Sequence, residues 1–107
     1  MNREELMDLF SERIRELLVR LPVNYEEVQE IRLRAEKPLL IRYGTGEYFV
    51  TEEGTLSKEE SKGFLVDKKE LMETMEYIAN YSLYAYEEEL KQGYLTVRGG
   101  HRIGVAG

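Results

Sequence analysis

The sequence contains no cysteine and no tryptophan, only two prolines and a single histidine, in 107 residues. Without cysteine there is no disulfide framework, no thiolate metal site, no redox pair and no cysteine nucleophile. No apolar run approaches the roughly 20 residues that cross a bilayer, and the start, Met1-Asn2-Arg3-Glu4-Glu5, has no apolar stretch after a basic region. The expectation is a cytoplasmic protein with no direct insertion in a membrane. Basic charge is scarce as well. Fifteen Lys and Arg stand against 21 Asp and Glu, a net charge of −6, which argues against a nucleic-acid partner held by phosphate neutralisation. No GxxxxGKS or GxxxxGKT segment occurs, and Gly99, Gly100, Gly104 and Gly107 lie where a strand follows, not a helix. No phosphate-cradling loop is therefore present in these residues.

What is present is enough for one domain, residues 1–107, with 42% hydrophobic residues. Leu6, Phe10, Ile14, Leu17 and Leu21 fall on one stripe at helical spacing, which predicts a single amphipathic helix that starts near Asn2 and ends at Pro22. Its polar face mixes both charges, so it suits packing against a core or a partner, not a membrane surface. Glu30-Ile31-Arg32-Leu33-Arg34-Ala35 alternates with period two and predicts a strand with Ile31, Leu33 and Ala35 on one face and Arg32 and Arg34 on the other. Leu39–Tyr43 and Glu47–Thr51 are two further strands, joined by a turn at Gly44-Thr45-Gly46. Residues 52–63 are polar and predict an exposed loop, and Phe64-Leu65-Val66 a short edge strand.

Asp67 and Glu70 have the spacing of a capping box, opening a helix with Leu71, Met75, Ile78 and Ser82 on its buried stripe. Asn80-Tyr81-Ser82 predicts a bend, followed by a second short helix to about Gln92. Two alternating runs, Tyr94–Arg98 and His101–Val105, flank Gly99-Gly100, the pair a two-residue hairpin turn favours. The class is α+β: an N-terminal amphipathic helix, a small and mostly antiparallel sheet with one or two helices on it, and a C-terminal Gly-Gly hairpin. The alternation in Arg102–Gly107 has no cap or turn to finish it, which reads as a piece of a longer protein.

Few residues form a catalytic pattern. His101 and Ser82 show no converging base and orienting acid, so no catalytic residue is assigned. Glu87-Glu88-Glu89 point about 100° apart on a helix, so they converge on no cation, and no metal is assigned. Tyr77, Tyr81 and Tyr84, spaced four and three, line one helix face suited to packing or to a protein partner. The arginines stand out. Arg32 and Arg34 share a strand face, and Arg98 and Arg102 flank the Gly-Gly turn, which concentrates guanidinium groups in an acidic chain. Such groups take phosphate in a bidentate fashion; surface ion pairs with the abundant glutamates are the alternative.

Two segments resemble the stage III sporulation protein AA family: Glu30-Ile31-Arg32-Leu33-Arg34 with Pro38-Leu39, and residues 81–107, YSLYAYEEELKQGYLTVRGGHRIGVAG. The resemblance covers residues 25–107, and the first helix matches in general character. It implies the N-terminal domain of a P-loop ATPase similar to type II and type IV secretion and pilus motor ATPases, a hexamer on the mother-cell side of a membrane channel complex. The implied domain is PAS-like, packs over the nucleotide site and is no enzyme by itself. It needs no cofactor of its own, whereas ATP and Mg belong to the full-length protein, with Walker motifs beyond Gly107. By position, Arg32, Arg34 and Arg102 are the implied phosphate contacts, with His101 a weaker member. The implied partners are the chain's own C-terminal ATPase domain, sister subunits of the hexamer and membrane channel proteins. An alternative is a module that docks the motor on the channel through Tyr77, Tyr81 and Tyr84. The match departs at Ala35-Glu36-Lys37-Pro38, where Ala-Gly-Arg-Pro is the expectation.

Overall fold

A computed structural model of the protein describes residues 3–82, 94–97 and 101–106. The apolar stripe of the first segment is buried throughout: Leu6, Phe10, Ile14, Leu17 and Leu21 are all at most 5% exposed. It is carried by two helices, α1 (Arg3–Met7) and α2 (Glu12–Arg20), where the spacing predicted one. Hydrogen bonding explains the break. The Ser11 N–H, which would close onto Met7 in a continuous helix, donates to Thr74 Oγ1 at 3.1 Å. Arg15 then reaches back, its Nε to the Met7 carbonyl at 3.3 Å and its Nη2 to the Phe10 carbonyl at 3.0 Å. These are carbonyls that a helix end leaves without partners.

A 3-10 turn at Tyr25–Glu27, capped by the Asn24 side chain on the Glu26 N–H at 3.1 Å, leads into the strands. These are β1 (Val28–Arg34), β2 (Leu40–Tyr43), β3 (Gly46–Val50), β4 (Leu56–Ser57), β5 (Tyr94–Val97) and β6 (His101–Ala106). They form one six-stranded sheet in the order β4-β3-β2-β1-β6-β5. All neighbours are antiparallel except β1 and β6, which run parallel. The α+β class and the mostly antiparallel sheet therefore agree with expectation.

Several local expectations need correction. Between β2 and β3 the register pairs Tyr43 with Gly46, so the turn is two residues long. Gly44 takes φ +60, the left-handed conformation glycine tolerates best. Residues 52–63 are not simply a loop, since they hold β4 and a 3-10 turn at Glu60–Lys62. The Thr51 and Thr55 hydroxyls lie 2.6 Å apart, and the Thr55 N–H donates to Thr51 Oγ1 at 3.1 Å, reversing the chain at Gly54. Phe64–Val66 is bridging backbone: the Phe64 N–H donates to Val50 at 2.8 Å, and the Leu39 N–H to Phe64 at 2.8 Å. Its side chains alternate nonetheless, Phe64 and Val66 buried and Leu65 61% exposed.

The capping box of α3 (Lys68–Ser82) is formed as expected. The Glu70 N–H donates to Asp67 Oδ1 at 2.7 Å, and the Asp67 N–H to Glu70 Oε1 at 3.3 Å. The helix is rotated from the expected stripe. Leu71 and Ile78 are buried, but Thr74 takes the place of Met75, which is 37% exposed. The Thr74 hydroxyl is drawn inward by the Ser11 N–H it accepts. α3 reaches Ser82, and the bend expected at Asn80-Tyr81-Ser82 falls at the edge of the described residues. The register between β5 and β6 sets Val97 opposite His101, not Arg98 opposite His101 as a two-residue turn requires. The Gly99-Gly100 turn, Arg98, Tyr84, the Glu87-Glu88-Glu89 run and the second short helix to Gln92 lie outside the described residues, as does Asn2.

The core joins Ile14, Leu17, Leu18, Leu71 and Ile78 from the helices to Ile31, Leu33, Ile41, Val50, Ile103 and Val105 from the strands. Burial of this kind stabilises by about 25 cal/mol per Å² of apolar surface. One sheet face is thereby committed to packing, and the other is left to carry charge.

Candidate functional site

Alternation along β1 puts Ile31 and Leu33, both at 0% exposure, in the core, and so turns Glu30, Arg32 and Arg34 to the opposite face. The neighbouring strands add to that face by register. Glu30 sits opposite Arg42 on β2 and opposite Arg102 on β6, and Arg42 sits opposite Glu47 on β3. Four arginines and two glutamates thus share one surface of a chain whose overall charge is −6. The structure brings three of the four phosphate-contact candidates onto that face, namely Arg32, Arg34 and Arg102. His101 is placed by its backbone alone, as the first residue of β6.

The arginines are not equivalent. Arg32 Nε meets Glu30 Oε2 at 2.6 Å, and the Glu30 side chain is only 7% exposed. The Arg32 stem lies over Gly104, where an added Cβ would come within 3.3 Å of Arg32 Cγ. A residue without a side chain on β6 is what lets this pair lie flat on the sheet. Arg42 and Glu47 approach at 4.0 Å, both well exposed, a contact worth little. Arg34 differs: its side chain is half-buried, and its Nε is shut off from solvent without a hydrogen-bond partner. A buried donor left unmade costs on the order of 1–3 kcal/mol, more when charged, until an acceptor arrives.

Sequence reasoning passed over Glu30 and Arg42. Glu30 carried a usable signal, because it shares the period-two face of Arg32 and Arg34. Arg42 carried none, since only the pairing of β1 with β2 brings it in. The β1–β2 connection also explains the departure at Ala35-Glu36-Lys37-Pro38. The Lys37 N–H donates to the Arg34 carbonyl at 3.1 Å to close a turn, and Glu36 within it has φ +61. Glycine suits that conformation; a glutamate holds it under strain.

Of the aromatic candidates, Tyr77 is 39% exposed on α3; Met72 at 64% and Met75 at 37% are exposed on another face of the same helix. Tyr81 is placed in α3 by backbone only, and Tyr84 is among the residues not described. Among the described residues no group of three His, Asp or Glu side chains converges as a metal site, and no helix is long and apolar enough to cross a membrane.

The family model for sporulation stage III, protein AA matches residues 1–107. The chain belongs to the sporulation stage III protein AA family. It is similar to the stage III sporulation protein AA of Bacillus subtilis (strain 168), with 35% identity over 105 residues, 96% of this chain. That alignment spans 30% of the Bacillus protein's length. No solved structure matches the chain. The segments that carried the resemblance, the Arg32 and Arg34 strand and the Arg102 hairpin, thus lie in a stage III AA match that runs the whole chain.

Proposed function

We propose that this chain is the N-terminal regulatory and assembly domain of a sporulation-associated ATPase of the secretion type. In this reading it is PAS-like, with a sheet that has its helices on one face, and it packs near the nucleotide site of a hexamer. It contributes arginines there and carries out no catalysis of its own. ATP and Mg are the cofactors of the whole protein, which works on the mother-cell side of a channel complex. The observation that supports the reading is the arginine-bearing sheet face, basic in an acidic chain, with Arg34, Arg32 and Arg102 on adjacent strands. Guanidinium groups stabilise the charge that builds on a phosphoryl group during transfer, and such groups supplied from a neighbouring domain change turnover by orders of magnitude.

The test uses the full-length protein. Arg34→Ala and Arg102→Ala should each lower ATP turnover at least tenfold while circular dichroism and assembly state stay as in the parent. Turnover equal to the parent in both variants would remove the arginine role.

A second reading has its own observation. Tyr77 is an exposed aromatic side chain on α3, of the type that protein partners favour. In that case the chain docks the motor on the channel through this helix. Capture of the channel's cytoplasmic face should then be lost in Tyr77→Ala and Tyr81→Ala whether or not nucleotide is present.

A further inference from the structure

We infer that Arg34 is the residue of this domain that takes a phosphate oxygen, and that Glu30 holds Arg32 out of the same task. This rests on the reading of the arginine face as a phosphate contact and adds a division of labour within it. The four guanidinium groups differ in what already occupies them. Arg32 is committed, with Nε on a nearly buried carboxylate at 2.6 Å and its stem laid over Gly104. Arg42 faces Glu47 at 4.0 Å. Arg102 has an interaction of its own and stands at the register position opposite Glu30. Among the described residues the Arg34 side chain has neither a hydrogen bond nor an ion pair, and its Nε is closed to water.

With Nε sealed and no acceptor among the described residues on the rest of the group, the guanidinium's outer edge is uncommitted. A terminal phosphate fits that edge, because two oxygens on one phosphorus match the planar fork of Nη1 and Nη2. A carboxylate already bound to Arg32 lowers that residue's pull on a second anion, as the two acceptors compete for the same donors. Glu30 therefore acts as an internal competitor that keeps the site selective for one arginine. Removing the carboxylate's charge should release Arg32 to join Arg34.

The experiment titrates inorganic pyrophosphate into the 15N-labelled chain and follows the arginine Nε–Hε resonances. Arg34 should show the largest shift at saturation. Arg34→Ala should weaken pyrophosphate at least tenfold, and Arg34→Lys nearly as much, because a point charge lacks the fork. Arg32→Met, which keeps the stem over Gly104, should change affinity less than threefold. Glu30→Gln should strengthen binding threefold or more. If Glu30→Gln fails to fold, the contrast between Arg32→Met and Arg34→Ala decides alone.

Equal losses in Arg32→Met and Arg34→Ala would overturn the assignment, as would unchanged affinity in Arg34→Ala or weaker binding in Glu30→Gln. Parallel titrations with ATP and with tripolyphosphate separate the sources. Tighter ATP binding points to a nucleotide, and equal binding to a free phosphate chain. Pyrophosphate binding at Arg34 can hold while turnover of the full-length Arg34→Ala enzyme is unchanged. That outcome, with Arg102→Ala turnover unchanged as well, would remove the arginine role in turnover and leave this assignment standing.

Discussion

The two faces of the sheet are made by the same strands under opposite rules. On the helix side, Ile31, Leu33, Ile103 and Val105 are at most 4% exposed, and each fills space that nothing else occupies. On the other side, Glu30, Arg32, Arg34 and Arg102 belong to the same two strands and share a face by alternation and register. Packing constrains the first face by volume, so loss of a methyl group is felt. The second is constrained by charge and by the absence of a side chain at Gly104. A face held by volume supports the fold. A face held by charge on a well-packed strand is free to be spent on binding, because the alternation beneath it has already fixed the backbone.

The sharpest way to break this comparison uses two adjacent residues of β6. Ile103→Ala should cost about 3 kcal/mol of unfolding free energy in urea, the ordinary penalty for emptying a packed aliphatic site. Arg102→Ala should move the same midpoint by about 0.5 kcal/mol or less, as expected for an exposed surface position. Comparable losses in the two would mean that the charged face also holds the fold.

The connection between β1 and β2 offers a smaller effect of opposite sign. Glu36 is exposed and sits at φ +61, so Glu36→Gly should raise stability by about 0.5–1 kcal/mol, the strain relieved less the freedom glycine regains when unfolded. A lower midpoint would show that the Glu36 side chain holds the turn by a contact stronger than its strain.

The smallest effect concerns a carboxylate placed on the packed side. Burial pushes the Glu70 carboxyl above its ordinary pKa of 4.5, and the Asp67 N–H bond and the Arg13 charge offset part of this. A carboxyl raised on folding favours the protonated native state. Its contribution is complete below the unfolded pKa and is lost as the pH rises through the folded one. Glu70→Gln keeps an acceptor for the Asp67 N–H and removes the charge. The variant should therefore gain on the parent at pH 7, and the gap should close as the pH falls toward 4.5. A gap that widens on acidification would reverse the sign of the burial effect.

Much of the architecture was legible because it depends on local periodicity. The period-two run at Ile31–Arg34, the presence of a tight turn after Tyr43 and the Asp67–Glu70 capping box are short-range features, and each appears, although the turn is one residue shorter than the glycine spacing suggested. Features set by distant partners were not legible. The break after Met7 depends on an N–H at Ser11 finding Thr74, 63 residues away, and the same bond rotates Met75 outward. The site divides in the same way. Arg32 and Arg34 could be placed on one face from their spacing. Their inequality could not, since it turns on how closely Arg32 approaches Glu30 and on which nitrogen of Arg34 is left without an acceptor.

The parallel pairing of β1 with β6 has a consequence in time as well as in space. Arg34 and Arg102 come onto one face only when strands far apart in the chain meet, a long-range step that is slow in folding. During synthesis, a ribosome that has released β1 through β4 presents a sheet whose β1 edge is still unpaired and hydrogen-bond hungry. The basic face is incomplete at that stage, because Arg102 joins Arg32, Arg34 and Arg42 only with β6. A ligand that needs Arg102 together with the arginines of β1 selects for chains in which those two strands have paired.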